Sequence, residues 1–294
     1  MNVLFKRKKF VLAIFVAPLL IVYLLIILIP LVQSFVMSFT EWDGVNQAVF
    51  NGAENYIKLF KSRDLSVAIK NSLLYSCVLT VYQVGFATLF AYIFTNIEIK
   101  FVNAFKNIYF FPVLLSVSVV GQLFISIYHG DFGLINQFMK MLGSTWRQNW
   151  LNERNCGIIA ITLAEAWKGM GYHMLIIYAA MRNVPRMYYE AATLDGADKK
   201  QQFFRMTLPL TMPTIKTCII MCFTFGFRSF EMIFLMTGGG PGNFSTTMPI
   251  MMYNAMFRLQ KYGYGSAIAT VIVAICISLM VIINRLTKRF DEQY

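Results

Sequence analysis

The sequence predicts an all-α polytopic membrane protein, and three observations carry that class. Of its 294 residues, 57% are hydrophobic and only 14% charged, against about 25% charged in a soluble domain. Apolar runs of membrane-spanning length recur six times along the chain. Lysines and arginines are spread unevenly over the connections between those runs. The net charge of +12 is better explained by that asymmetry than by nucleic acid, so no nucleic-acid partner is expected.

Taken in order, the first span covers about residues 10–35, behind Lys6-Arg7-Lys8-Lys9. It is longer than the apolar core of a signal peptide, and no small-residue cleavage site follows, so it is expected to be retained. Pro18 and Pro30 are tolerated breaks within it. Residues 40–66 are polar, with Trp42 and Tyr56 as interface anchors. The second span is about 67–95, followed by a short basic turn with Lys100 and Lys106. The third, about 108–128, starts near Pro112, and a mixed loop, 129–155, holds Trp146 and Trp150. The fourth span is about 156–181 and the fifth about 215–236. Thr237-Gly238-Gly239-Gly240-Pro241-Gly242 then reads as a tight non-helical turn. It leads into 248–259, a segment lying on or dipping into the membrane. The sixth span is about 265–283, before a tail with Arg285, Lys288 and Arg289. The whole chain, 1–294, is read as one transmembrane domain.

Six spans place both ends on one side. That side carries 15 of the 26 lysines and arginines and the other carries eight, with Lys70, Lys168 and Arg228 inside spans. The bias puts both termini, and the loop between spans four and five, in the cytoplasm.

That loop is the most informative stretch. Glu190-Ala191-Ala192 are good helix formers, and Gly196 permits a sharp turn or close approach of another backbone. A second amphipathic piece follows, with Phe203, Phe204 and Met206 as its apolar side. Leu208-Pro209 is expected to stop it, because proline disfavours helical geometry in the residue before it. Two short helices joined by a glycine turn make a docking platform rather than a tether.

The spacing resembles the EAA loop of permeases of ATP-binding-cassette importers: Glu190-Ala191-Ala192, three residues, Gly196, nine residues, then Met206-Thr207-Leu208-Pro209. Met206 stands where that family carries an isoleucine-type residue. Similarity extends along nearly the whole chain. Ser38-Phe39-Thr40-Glu41-Trp42, Asn55-Tyr56 and Asn71-Ser72-Leu73 look like the opening of carbohydrate-type permeases. Thr237–Gly242 resembles the segment after span five of maltose-permease-like subunits, and Tyr262-Gly263-Tyr264-Gly265-Ser266-Ala267 resembles their entry to the last span.

The resemblance implies the type I importer permease fold, with a cytoplasmic coupling helix between helices four and five. It implies a sugar or oligosaccharide as substrate and location in the bacterial cytoplasmic membrane. The partners it implies are a second homologous permease, two ATP-binding-cassette ATPases, an extracellular solute-binding protein and membrane lipid. It assigns ATPase coupling to Glu190, Ala191, Ala192, Asp195, Gly196 and Ala197. No GxxxxGK[ST] occurs in the chain. ATP and magnesium are therefore expected on the partner ATPase, with no cofactor, metal or catalytic residue in this chain.

Charged residues inside spans form the second informative set, since each costs roughly 2.5–3.5 kcal/mol at a span centre. Glu165 with Lys168, and Arg228 with Glu231, are three apart, a spacing that puts each pair on one helix face and suggests mutual pairing. Such residues face protein or a water-filled path. With Trp167, Tyr172 and Phe230 close by, and Asn254 further on, they are candidates for a sugar path: aromatic faces suit sugar rings, and charged and amide groups suit hydroxyls. The alternative for the charged pairs is structural, a lock between spans or onto the second permease. Gln83 and Gln122 are weaker candidates, and His173 reads as an interior histidine.

The five cysteines lack a CxxC pair and mostly lie in apolar runs, as small apolar fillers. A stand-alone secondary carrier for a polar solute would show a paired repeat of broken spans; no such repeat is evident, and the docking loop would be unexplained. A membrane enzyme would need a cluster of His, Asp or Cys near one face, and the two histidines are far apart.

Overall fold

The computed structural model describes residues 14–96, 102–153 and 156–287. The basic segment Lys6–Lys9, Lys100, and Lys288 with Arg289 lie outside the described residues. The helices are α1 (Ile14–Met37), α2 (Glu54–Lys61), α3 (Arg63–Asn96), α4 (Val102–Phe110) and α5 (Val117–Ile127). There follow α6 (Leu134–Met141), α7 (Gly157–Arg182) and α8 (Arg186–Leu194), then α9 (Lys199–Phe227) and α10 (Glu231–Met236). Helix α11 runs from Met248 to Arg258 and α12 is Tyr262–Thr287. One two-stranded antiparallel ribbon, β1 (Thr40–Glu41) with β2 (Val49–Phe50), pairs Thr40 with Phe50.

Backbone proximity groups residues 14–62 with 252–273, and 63–251 with 274–287. In the first group α1 is apolar and unburied over its length. The chain leaves it through Ser38, whose hydroxyl meets the Tyr56 hydroxyl at 2.6 Å. The Asn55 amide donates to the carbonyls of Ser38 and Thr40, fixing α2 under the ribbon. The Trp42 ring lies 5.5 Å from Tyr262. Gly263 is required beside it, since a β-carbon there would sit 1.9 Å from the Thr40 carbonyl oxygen.

In the second group α3 packs along α7 and then α9. Tyr75, Leu79, Ala87 and Ala91 of α3 meet Ile161, Ala164, Met174 and Ile177 of α7, with Cys218 and Cys222 of α9. Small residues let the backbones approach. A β-carbon on Gly226 would lie 2.9 Å from Ser76 Cα, and one on Gly171 would lie 2.3 Å from the Tyr109 carbonyl oxygen. Cys218 and Cys222 fill this core as expected, and the Cys222 thiol donates to Gln83 Oε1 at 3.2 Å.

Among the described residues, four helices are long and apolar enough to cross a membrane: α1, α3, α9 and Tyr262–Arg285. A fifth span results if α4 with its 3₁₀ extension and α5, bent by 97°, count as one. Helix α7 is 26 residues long, but Glu165, Lys168 and His173 in its middle lower its hydropathy.

Three expectations are corrected. The third span is not straight but broken at Leu115-Ser116, where the Ser116 side chain caps α5 by accepting from Val119 N–H. Pro209 does not stop the second helix of the loop. The turn Phe203–Thr207 widens to i→i−5 bonding, with Leu208 N–H donating to Phe203 O. Pro209 follows at the start of the next α segment, where the missing N–H and ring are accommodated, and α9 continues past Pro213 to Phe227. The fifth span does not reach 236 as one helix: α9 ends with Arg228 as its cap, and Phe230 is non-helical at φ −120°, ψ −50°.

Candidate functional site

Helix α8 begins after Pro185 and ends in a C-terminal motif written by its sequence. Gly196 has φ +80°. Its N–H donates to Thr193 O at 3.1 Å, and Ala197 N–H reaches back to Ala192 O at 2.9 Å. This is the Schellman pattern, which needs a left-handed residue at the position Gly196 holds. Among the described residues no atom lies within 4 Å of where its β-carbon would be, so within this chain the left-handed backbone, not crowding, demands glycine.

Asp198 then starts α9. Its carboxylate accepts from Gln201 N–H at 2.7 Å, and its own N–H donates to Gln201 Oε1 at 3.1 Å, a capping box. The Gln202 amide donates to Thr193 Oγ1 at 3.0 Å and Ala197 O at 3.2 Å. The loop is therefore a closed helix–turn–helix. Sequence reasoning misses the roles of Asp198 and Gln202, although the Asp-x-x-Gln spacing of the box is readable.

Of the six residues expected to couple, Glu190, Ala191, Asp195 and Gly196 are exposed, and Ala192 and Ala197 are partly covered. Beside them Met187 and Leu194 are 68% and 89% exposed. An apolar, acid-edged surface on a short helix is free to meet a partner. Phe203 packs inward against Tyr92, with ring centroids 4.3 Å apart, while Phe204 is exposed, so the two phenylalanines do not share one apolar side.

The path candidates are less unified. Trp167 is half-buried against Phe124, 5.6 Å between centroids. Tyr172, exposed, lies five residues on, about 140° round the helix. Glu165 is buried, and among the described residues no ion pair joins it to Lys168. None joins Arg228 to Glu231 either. The helix breaks between those two, so the three-residue rule for a shared face does not apply to them. Both are exposed, and Ser229 between them is buried with its hydroxyl donating to Tyr75 at 3.3 Å. Phe230 stacks on Phe234 at 5.0 Å.

Asn254 belongs to the other backbone group, and its Oδ1 is buried without a partner among the described residues. Gln83 is a structural clamp: its amide donates to the carbonyls of Glu165 and Ala166 on α7. His173 is buried as read, but its Nδ1 has no partner among the described residues. A cavity of about 580 Å³ opens instead on the α5–α7 connection, lined by Tyr128, Arg147, Asn149, Asn152 and Glu153 among others. None of the six path candidates lines it.

Residues 65–292 match the family of binding-protein-dependent transport system inner membrane components. The chain belongs to that family. The permease is 31% identical over 290 residues to the ABC transporter permease protein YurN of Bacillus subtilis (strain 168), covering 98% of this chain and 99% of that one. It is 30% identical to the arabinooligosaccharides transport system permease protein AraP of the same organism, over 99% and 92% of the two chains. A subunit in the crystal structure of a bacterial ABC transporter that imports the acidic polysaccharide alginate has the same fold. Its TM-score is 0.84 at 22% identity, over 97% of this chain and 98% of that one. The permease is thus a multi-pass inner-membrane transport component of the type I importer fold, and the family is one of transport proteins rather than enzymes.

Proposed function

We propose that this permease is one membrane subunit of an ATP-driven importer of a sugar or oligosaccharide, working with a second, homologous permease. On this reading, two ATPase subunits dock on α8 from the cytoplasm, and ATP and magnesium are bound there and not by this chain. A solute-binding protein delivers substrate at the outer loops. Nucleotide-driven motion of the docked subunits moves the 190–213 loop and switches the path between inward- and outward-facing. The bent α4–α5 pair and α7 count as the third and fourth of six spans, with both termini cytoplasmic. Glu190, Ala191, Ala192, Asp195, Gly196 and Ala197 form the docking surface. Trp167, Tyr172, Arg228, Phe230, Glu231 and Asn254 are the candidates for substrate contact.

The observation that carries this reading is the closed helix–turn–helix at Arg186–Thr207, rigid within and unburied along its first helix. The relatives named for arabinooligosaccharide and multiple-sugar transport support the substrate class. Membership in a binding-protein-dependent family weighs against a stand-alone carrier, even though the break at Arg228–Phe230 is of the kind such carriers show.

The test is Leu194→Cys, a position 89% exposed. In the native membrane a bifunctional thiol–amine reagent should join it to an ATP-hydrolysing subunit. A membrane-impermeant maleimide should leave it unlabelled in intact cells. Rapid labelling from outside, or no ATPase in the cross-linked product, would overturn the reading.

A further inference from the structure

A polar contact ties the docking helix to the widened turn of α9. The Tyr189 hydroxyl lies 2.9 Å from Thr207 Oγ1. Thr207 is fully buried, and its own hydroxyl is within 3.4 Å of the Gln202 carbonyl, to which it donates. Thr207 is thus held from two sides, and either hydroxyl can be the donor in its pair with Tyr189. Tyr189 immediately precedes Glu190 but is half-buried, turned away from the exposed docking surface.

The contact falls at a special place in α9. Thr207 closes the widened turn Phe203–Thr207, just before Pro209. Across that same turn Phe203 packs against Tyr92 near the end of α3, with centroids 4.3 Å apart. Helix α3 in turn packs along α7 and α9. A continuous run of contacts thus leads from α8, through Tyr189 and Thr207, across the turn, through Phe203 and Tyr92, into the membrane bundle. The remaining bonds of the loop, Thr193–Gln202 and the two caps, join α8 to the first turn of α9 and stop short of the widened turn that Phe203 and Thr207 bracket.

We infer that Tyr189 is a positioning residue for coupling: its hydroxyl, bonded to Thr207, is the strut by which movement of the docking helix reaches α3 and α9. The inference rests on the docking role proposed for α8. It makes the hydroxyl matter for transmission and not for docking, since the hydroxyl of the half-buried Tyr189 is held against Thr207.

The test uses the whole importer purified with its ATPase subunits in lipid nanodiscs. Hydrogen exchange is compared between the nucleotide-free state and the state trapped with ATP and vanadate. In the unaltered complex, trapping should change exchange both in the 186–207 loop and in the 88–96 end of α3. In Tyr189→Phe and in Thr207→Val the loop should still respond and the ATPases remain bound. The α3 response should fall about fivefold, the scale of one net hydrogen bond. Thr207→Ser, which keeps the hydroxyl, should restore it. A merely structural role would shift α3 exchange equally with and without nucleotide. Full transmission to α3 in Tyr189→Phe, or failure of Thr207→Ser to rescue, overturns the strut while leaving docking intact. Loss of the loop's own response in the unaltered complex overturns the docking role, and the strut with it.

Discussion

Gly196 offers the sharpest test of the docking loop, because the structure isolates one reason for its identity. Its φ of +80° belongs to the left-handed region, and nothing lies within 4 Å of the point a β-carbon would occupy. Substitution therefore costs conformation and not space. For a residue with a β-carbon the cost is about 1–2 kcal/mol, less for asparagine and more for a β-branched residue. Each 1.4 kcal/mol is tenfold in population, so Gly196→Ala should lower the fraction of correctly closed turn about five- to thirtyfold, with Gly196→Asn milder and Gly196→Val worse. The assay is ATPase retention on the detergent-purified permease, alongside whole-cell uptake of arabino- and malto-oligosaccharides, with membrane insertion checked by immunoblot. The expected order of uptake is Gly, Asn, Ala, Val, at constant insertion. Normal uptake and docking in Gly196→Val would refute the reasoning, since the Schellman closure cannot survive a valine at that backbone angle without strain. Equal losses for Ala and Val would point to a contact with the partner surface instead.

Other consequences follow from single observations. Gly226→Ala should destabilise the purified permease by about 1–3 kcal/mol through overpacking against Ser76. Gly85→Ala on α3, with open space around it, should be neutral or stabilising; thermal unfolding of the two variants checks both. Asp198→Ala removes the capping box and should cost the loop about 0.5–2 kcal/mol, seen as faster proteolysis between residues 195 and 205. Arg228→Ala should change uptake rate or substrate range, measured on the same oligosaccharide panel; unchanged kinetics would leave Arg228 only a packing role. Asp43 accepts from Val45 and Asn46 N–H at 3.0 and 2.9 Å, which holds its carboxyl below its usual 3.8. A depressed carboxylate stabilises its turn above the unfolded value and loses that stabilisation as pH falls through the folded one. Trp42, whose indole N–H donates to Asn46 O in the same turn, should keep constant emission down to about pH 4 and change only below it.

How much is legible in the sequence depends on how far apart the deciding atoms lie along it. The proposed docking loop is readable because its bonds close over three to nine residues: Gly196 to Thr193, Ala197 to Ala192, Asp198 to Gln201, Gln202 to Thr193. The break at Arg228–Phe230 is not. It has no proline or glycine of its own. It coincides with contacts across about 150 residues, Ser229 to Tyr75 and Gly226 against Ser76. The expected Arg228–Glu231 pair fails for a related reason, since spacing of three implies a shared face only on an unbroken helix, and these two straddle an interruption. Gln83 reads as a path candidate because an amide in a span looks functional. Its partners, the carbonyls of Glu165 and Ala166, are 82 and 83 residues away and invisible to local pattern.

Pro209 bears most on mechanism. Proline removes a donor and crowds the carbonyl four residues back, which is why Leu208-Pro209 looks like a helix end. The chain instead places a widened turn immediately before the proline, and does so twice: Ile29 N–H bonds Leu24 O ahead of Pro30, and Leu208 N–H bonds Phe203 O ahead of Pro209. Helix α9 therefore stays continuous over 29 residues, about 44 Å, with one end in the docking loop and the other at the Arg228 break. A continuous helix carries axial displacement along its length, whereas a chain stopped at Pro209 would have absorbed it in a loop. The widened turn is also the softest point of the rod, and it is the point held from one side by Tyr189 and from the other by Tyr92. Deleting one residue within Phe203–Thr207 would convert the turn to ordinary α geometry. The deletion would be absorbed by the lost bulge, so the docking side would keep its bearing about the axis, while Pro209 would be driven against the carbonyl of the preceding turn. Loss of coupling with the helix content of α9 retained, read by circular dichroism and nucleotide-dependent exchange, is the outcome that geometry requires. An unimpaired importer would mean that α9 is not the rod.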